Sequence, residues 1–159
     1  MFDIGQIVIH KDHGVCIIKD KDHVSYLDKD YFILYQIDQV NTKIMVPVDS
    51  IQTICRLLIS KTQALELIKK FNLIDGDYIV DNKKRKEEYT KLLKSGDLED
   101  LIYLIKILEK LFKDKKHVNK AIGTIDSSLY NEAKNKLYQE LSYVLDMNYD
   151  AIDSLLNNR

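Results

Sequence analysis

The chain holds 159 residues, 45% of them apolar and 31% charged, a balance that belongs to folded proteins and excludes a low-hydropathy disordered tail. No run approaches the roughly 18–20 apolar residues needed to span a bilayer, and two cysteines, Cys16 and Cys55, are too few for a disulfide framework. The formal net charge of −1 gives no whole-chain attraction to nucleic acid, so such a role would have to rest on local clusters.

The opening Met1-Phe2-Asp3-Ile4-Gly5 lacks a basic segment followed by an apolar run, and a cytoplasmic address is expected. Residues 6–10 and 15–18 are short β-branched runs separated by Lys11-Asp12-His13-Gly14. Gly14 takes positive φ without steric cost, so the pair predicts a hairpin. Residues 23–27 form a third candidate strand. Residues 31–37 are apolar on both faces at first and then alternate, and residues 42–48 alternate throughout. Short strands at this spacing predict a small closed or nearly closed barrel.

After Leu58 the period changes from two to that of a helix. Ser60-Lys61-Thr62-Gln63 is a capping box, and the helix that it opens carries Ala64, Leu65, Leu67, Ile68 and Phe71. A second helix is expected over 82–95, stopped by Gly96. Asp97 can cap a third, whose apolar face is wide enough for the centre of a bundle. A fourth is expected over 127–145 and a short last one over 149–156, with loops at 72–81 and 115–126. The reading is therefore α+β in two domains, a barrel over 1–58 and a compact all-α bundle of about five helices over 59–159.

Pro47 is the only proline. Lacking an amide proton, proline within a sheet sits on an edge strand, at a strand end or at a bulge. Alternation puts Ile44, Val46 and Val48 toward the core and Lys43, Met45 and Pro47 outward. An outward Met beside an outward Pro is suited to docking a partner's strand; the alternative is a proline that only blunts the edge against aggregation.

Four segments stand out: Phe2-Asp3-Ile4-Gly5-Gln6-Ile7-Val8-Ile9, His13-Gly14-Val15, Ile44-Met45-Val46-Pro47-Val48-Asp49 and Leu93-Lys94-Ser95-Gly96-Asp97. In their order and spacing they resemble the CarD/CdnL family of bacterial RNA polymerase-binding regulators, whose first module also occurs in the transcription-repair coupling factor. The first is similar to the family opening, the second to its turn, and the other two match further segments. The resemblance implies an SH3-like or Tudor-like barrel that binds the polymerase β subunit through its outer strand, with Tyr35, Lys43, Met45 and Pro47 as contacts. It implies a helical domain lying on promoter DNA without sequence specificity and stabilising the open complex. Two departures stand out. His10-Lys11 replaces a Tyr-Pro pair, and Asn82 stands where members known for open-complex stabilisation open the helix with tryptophan. Asparagine has too little apolar surface to fill an unstacked base step, although it can hydrogen-bond a base edge or a phosphate.

Lys83-Lys84-Arg85-Lys86 follows Asn82, and a second basic cluster comprises Lys113, Lys115, Lys116, His117 and Lys120. Both suit phosphate contacts that weaken with salt. Both also suit a solvated helix face, and the second suits a helix C-terminus. Read with the resemblance, residues 82–86 are the DNA candidates, Lys84 and Arg85 foremost. His10, His13 and Cys16, with Cys55, are a weak match to a zinc set because no Cys-x-x-Cys pair occurs; packing of both thiols as small apolar groups is preferred. No Gly-rich phosphate loop, nucleophile elbow or His-Glu-x-x-His occurs. The expectation is a monomeric, non-enzymatic regulator with no catalytic residue, cofactor, metal or membrane contact. The alternative is a polymerase-bound adaptor whose helical domain binds another protein.

Overall fold

A computed structural model describes residues 2–39 and 41–157. The chain divides after Ile59 into two compact units.

The first unit is built on an antiparallel five-stranded sheet of order β4-β3-β2-β1-β5. Strand β1 (Ile7–His10) pairs with β2 (Gly14–Val24), Val8 opposite Cys16 and His10 opposite Gly14. Gly14 closes the turn at φ 73°, the left-handed region that its missing Cβ permits. Strand β2 runs on through Lys19-Asp20-Lys21-Asp22-His23-Val24, so the separate strand expected over 23–27 does not exist. Its first residues finish β2, and Ser25–Asp28 make the turn into β3 (Lys29–Gln36), with Asp28 at φ 48°.

A bulge lies in this hairpin. Ile18 faces Leu34, but the next pair is Asp20 with Ile33, which leaves Lys19 as the extra residue. Simple alternation from Ile18 would aim the Asp20 carboxylate into the core; one inserted residue reverses the parity and turns it outward.

Strand β4 (Lys43–Pro47) pairs with β3. A 3-10 turn (Val48–Ser50) and helix α1 (Ile51–Ile54) lead to β5 (Cys55–Leu57), which pairs with β1 on the opposite side of the sheet. The core is Val8, Cys16, Ile18, Phe32, Leu34, Ile44, Val46, Ile51 and Cys55. Val48, expected on the strand, leaves it and packs against this cluster from the 3-10 turn. Among the described residues the hydrogen-bonded order ends at β4 and β5, which gives an open ladder of five strands.

The second unit is helical. Helix α2 (Lys61–Phe71) carries the capping box in full: the Gln63 amide donates to Ser60 Oγ at 3.1 Å, and the Ser60 amide to Gln63 Oε1 at 2.9 Å. Helix α3 (Asn82–Lys94) is capped by Asp81, which accepts from the Lys84 amide, and ends before Gly96 at φ 76°. Asp97 caps α4 (Leu98–His117). Eight buried residues, Leu98, Leu101, Ile102, Leu104, Ile105, Ile107, Leu108 and Leu111, take up far more than one narrow stripe of α4, as a helix with neighbours on several sides requires.

Lys115, Lys116 and His117 belong to α4 rather than to the expected loop, since basic residues are favourable in a last helical turn. Helix α5 (Thr124–Leu145) starts three residues before the expected Ser127, after Gly123. Helix α6 (Tyr149–Asn157) completes the unit. No helix of the described residues is long and apolar enough to cross a membrane.

Candidate functional site

Two surfaces carry the residues singled out by the sequence, one on each unit. On the sheet, cross-strand register decides which side chains share a face. Lys43 lies opposite Tyr35, Met45 opposite Ile33, and Pro47 opposite Tyr31. Ile44 and Val46 point the other way, into the core, at 8% and 1% exposure. Tyr35, Lys43, Met45 and Pro47 therefore occupy one outward face, with Lys43 and Met45 exposed and Tyr35 and Pro47 half-buried.

Strand β4 is the end of the ladder, and among the described residues no strand pairs with its far side. Its outward face continues into the sheet as an apolar row, because Ile17 faces Tyr35 and Ile7 faces Ile17. Ile7 and Ile17 were missed by the sequence reading, because no single strand reveals the cross-strand register that lines them up with Tyr35.

The second surface is the start of α3. Asp81 holds the Lys84 amide at 2.8 Å, which fixes where the helix begins. Asn82, Lys83, Lys84 and Lys86 are exposed. Arg85 is not, and its assignment to DNA is corrected here: it is 4% exposed. Its Nε donates to Asp126 Oδ1 at 2.9 Å and its Nη2 to Asp126 Oδ2 at 2.8 Å. Nη1 donates to the carbonyls of Ile79 and Val80, and Nη2 also to Asn82 Oδ1. A guanidinium has five N–H donors, and this set uses all of them, leaving none for a phosphate. Hydrogen bonding to Asp126 raises the Arg85 pKa, outweighing the opposing effect of burial.

The sequence held a clue: Arg85 shares i, i+4 spacing with Tyr89 and Leu93, the other buried residues of α3. Asn82 is also engaged, since its side-chain oxygen serves the same guanidinium.

The second basic cluster borders a groove of about 540 Å³ lined by Phe112, Lys113, Lys116, Asn119, Lys120 and Ile122. Lys115 turns away from it, its Nζ lying 3.9 Å from Asp126 Oδ2.

The remaining candidates are internal. Cys16 and Cys55 sit in the sheet core, and burial pushes their thiols up to about 12 and about 11. His10 is buried, its Nδ1 accepting from the Asp12 amide at 3.0 Å, with the His13 ring 4.6 Å away. Among the described residues, no group of three or more His, Cys, Asp or Glu is placed to hold a metal ion.

Comparison with known families assigns both units. Residues 2–58 match the CarD-like/TRCF RID domain, and residues 74–157 match the CarD C-terminal domain. No curated protein matches the chain.

Proposed function

The chain belongs to the CarD family of transcription-associated, RNA polymerase-interacting regulators, and from that premise we propose that β4 is the strand onto which the polymerase β subunit zips. The observation that carries this reading is the unpaired far side of β4, with Met45 at 42% exposure and Lys43 beside it. Strand addition uses main-chain hydrogen bonds for affinity and alternate side chains for specificity. Pro47 offers no amide and so marks where such a ladder stops. The sheet and its core fit a small SH3-like or Tudor-like barrel, and Tyr35 extends the contact face inward from Lys43.

In the same proposal the helical unit lies near promoter DNA and modulates open-complex formation or stability. Lys83, Lys84 and Lys86 meet phosphates without sequence preference, while Asn82 and Arg85 shape the surface that presents them. The protein acts as a monomer in the cytoplasm, without enzymatic activity, cofactor or metal.

The test is a pull-down with the isolated β lobe. Met45→Ala combined with Pro47→Ala should weaken capture about tenfold or more, as loss of a well-packed contact does; unchanged capture, or none by the wild type, refutes the proposal. The adaptor reading gains from Asn82, which lacks the apolar surface for a base step and is bonded to Arg85. A crosslink from Lys83 or Lys84 to promoter DNA separates the two.

A further inference from the structure

The groove at the end of α4 brings together three amines, of Lys113, Lys116 and Lys120, that form no ion pair among the described residues. Phe112 and Lys116 are four residues apart and Lys113 and Lys116 three apart, so the helix sets all three on one side. The opposite wall is the strap after the helix, with Asn119, Lys120 and Ile122, the last 47% exposed. That strap is pinned. Asn119 ends the helix at φ 56°, a conformation that asparagine tolerates, and the amides of Asn119 and Lys120 return to the carbonyls of Lys116 and Lys115 at 3.2 and 2.8 Å.

These bonds occupy two of the carbonyls whose partial negative charge would oppose an anion at a helix end. The neighbouring carboxylates are engaged away from the amines: Glu109 accepts from Tyr130 Oη at 3.1 Å, Asp114 from Tyr78 Oη at 2.8 Å, and Asp126 from Arg85. Phosphate by itself would leave Phe112 and Ile122 unused. An aromatic ring facing an aliphatic wall suits a flat base, since stacking on an aromatic side chain is available to any base. Asn119 offers both a donor and an acceptor for the base edge. The volume of about 540 Å³ accommodates a small molecule of this kind. A duplex keeps its base faces within its own stack, so it would meet the amines and leave both walls bare.

We infer that this groove is a site for a nucleoside polyphosphate, with the base between Phe112 and Ile122 and the phosphates on Lys113, Lys116 and Lys120. It gives the regulator a small-molecule input that depends on neither the β4 contact nor the DNA contact.

Isothermal titration calorimetry of the full-length chain with ATP, in the absence of divalent cations, tests this. ATP should bind at one site, and inorganic tripolyphosphate and adenosine should each bind more weakly, because each keeps only part of the contacts. Phe112→Leu should weaken ATP binding about tenfold, the scale of one base stack, and leave tripolyphosphate binding unchanged. Lys116→Glu combined with Lys120→Glu, at two exposed positions, should abolish binding of both while helical circular dichroism stays that of the wild type. No binding of ATP overturns the site. So does equal binding of ATP and tripolyphosphate with no effect of Phe112→Leu, which would leave only a patch of surface charge. A single-stranded oligonucleotide that outbinds ATP and is lost with the same lysine pair reassigns the groove to a nucleic-acid strand, and an acidic peptide that does so reassigns it to a protein partner.

Discussion

Replacing Asp126 by Ala strips a buried guanidinium of two charge-assisted bonds, from Nε at 2.9 Å and Nη2 at 2.8 Å. The two side chains are 5% and 7% exposed, so water cannot readily take the place of the carboxylate. Breaking one side of such a pair costs about 3–5 kcal/mol, because an uncompensated charge remains buried. For a unit of this size that is a fall of about 15 °C or more in thermal midpoint. Arg85→Met should cost at least as much, since it also abandons the carbonyls of Ile79 and Val80 and the side chain of Asn82. The double variant Arg85→Met with Asp126→Leu should cost less than the sum of the single ones, with a coupling of at least about 2 kcal/mol, within the range of contacting pairs. Urea unfolding followed by helical circular dichroism measures all three. A loss below about 0.5 kcal/mol for Asp126→Ala, the scale of an unremarkable surface change, would refute the claim that this pair anchors the start of α3 to α5.

Other outcomes follow from the same packing. Below about pH 9, the ordinary range of a thiol, Cys16 and Cys55 should resist a thiol reagent in the folded chain and react fully in denaturant, because burial keeps both protonated; fast native labelling would contradict the core placement. Tyr138 donates to Asp153 at 2.6 Å, and burial followed by this bond raises its pKa. A raised folded pKa means that this stabilisation is fully present below the unfolded value of about 10 and fades as pH climbs above it. Tyr138→Phe should therefore flatten the alkaline limb of a stability-versus-pH curve. Ser60→Ala, which removes the acceptor for the Gln63 amide, should cost about 1 kcal/mol in urea unfolding.

Much of the architecture could be read before any coordinates. The Ser60 box and the Gly96-Asp97 junction state their chemistry locally, and both form as read. What escaped was whatever local pattern does not encode. The charged stretch Lys19–Asp22 shows no apolar alternation, yet it is the exposed continuation of β2, held by its partner strand. Helix α1 and strand β5 are four and three residues long, too short to show a period. Arg85 was hidden by its neighbours, since Lys83-Lys84-Arg85-Lys86 looks like one cationic run until the helix sorts three side chains outward and one inward. The outward face of the sheet was half legible: alternation gave Lys43, Met45 and Pro47, but the row through Ile17 and Ile7 needed the register.

The single unmatched residue at Lys19 can be lost without harm to the β2–β3 arm, since Asp20 would then follow Ile18 directly and keep its outward side. Beyond it, losing a single residue of one strand would swap the sides of the positions that follow: without Lys21, whose amine overlies the Phe32 ring at 5.9 Å, Asp22 would take that inward side. Paired insertions or deletions leave the sidedness intact, so this arm should lengthen or shorten by even steps.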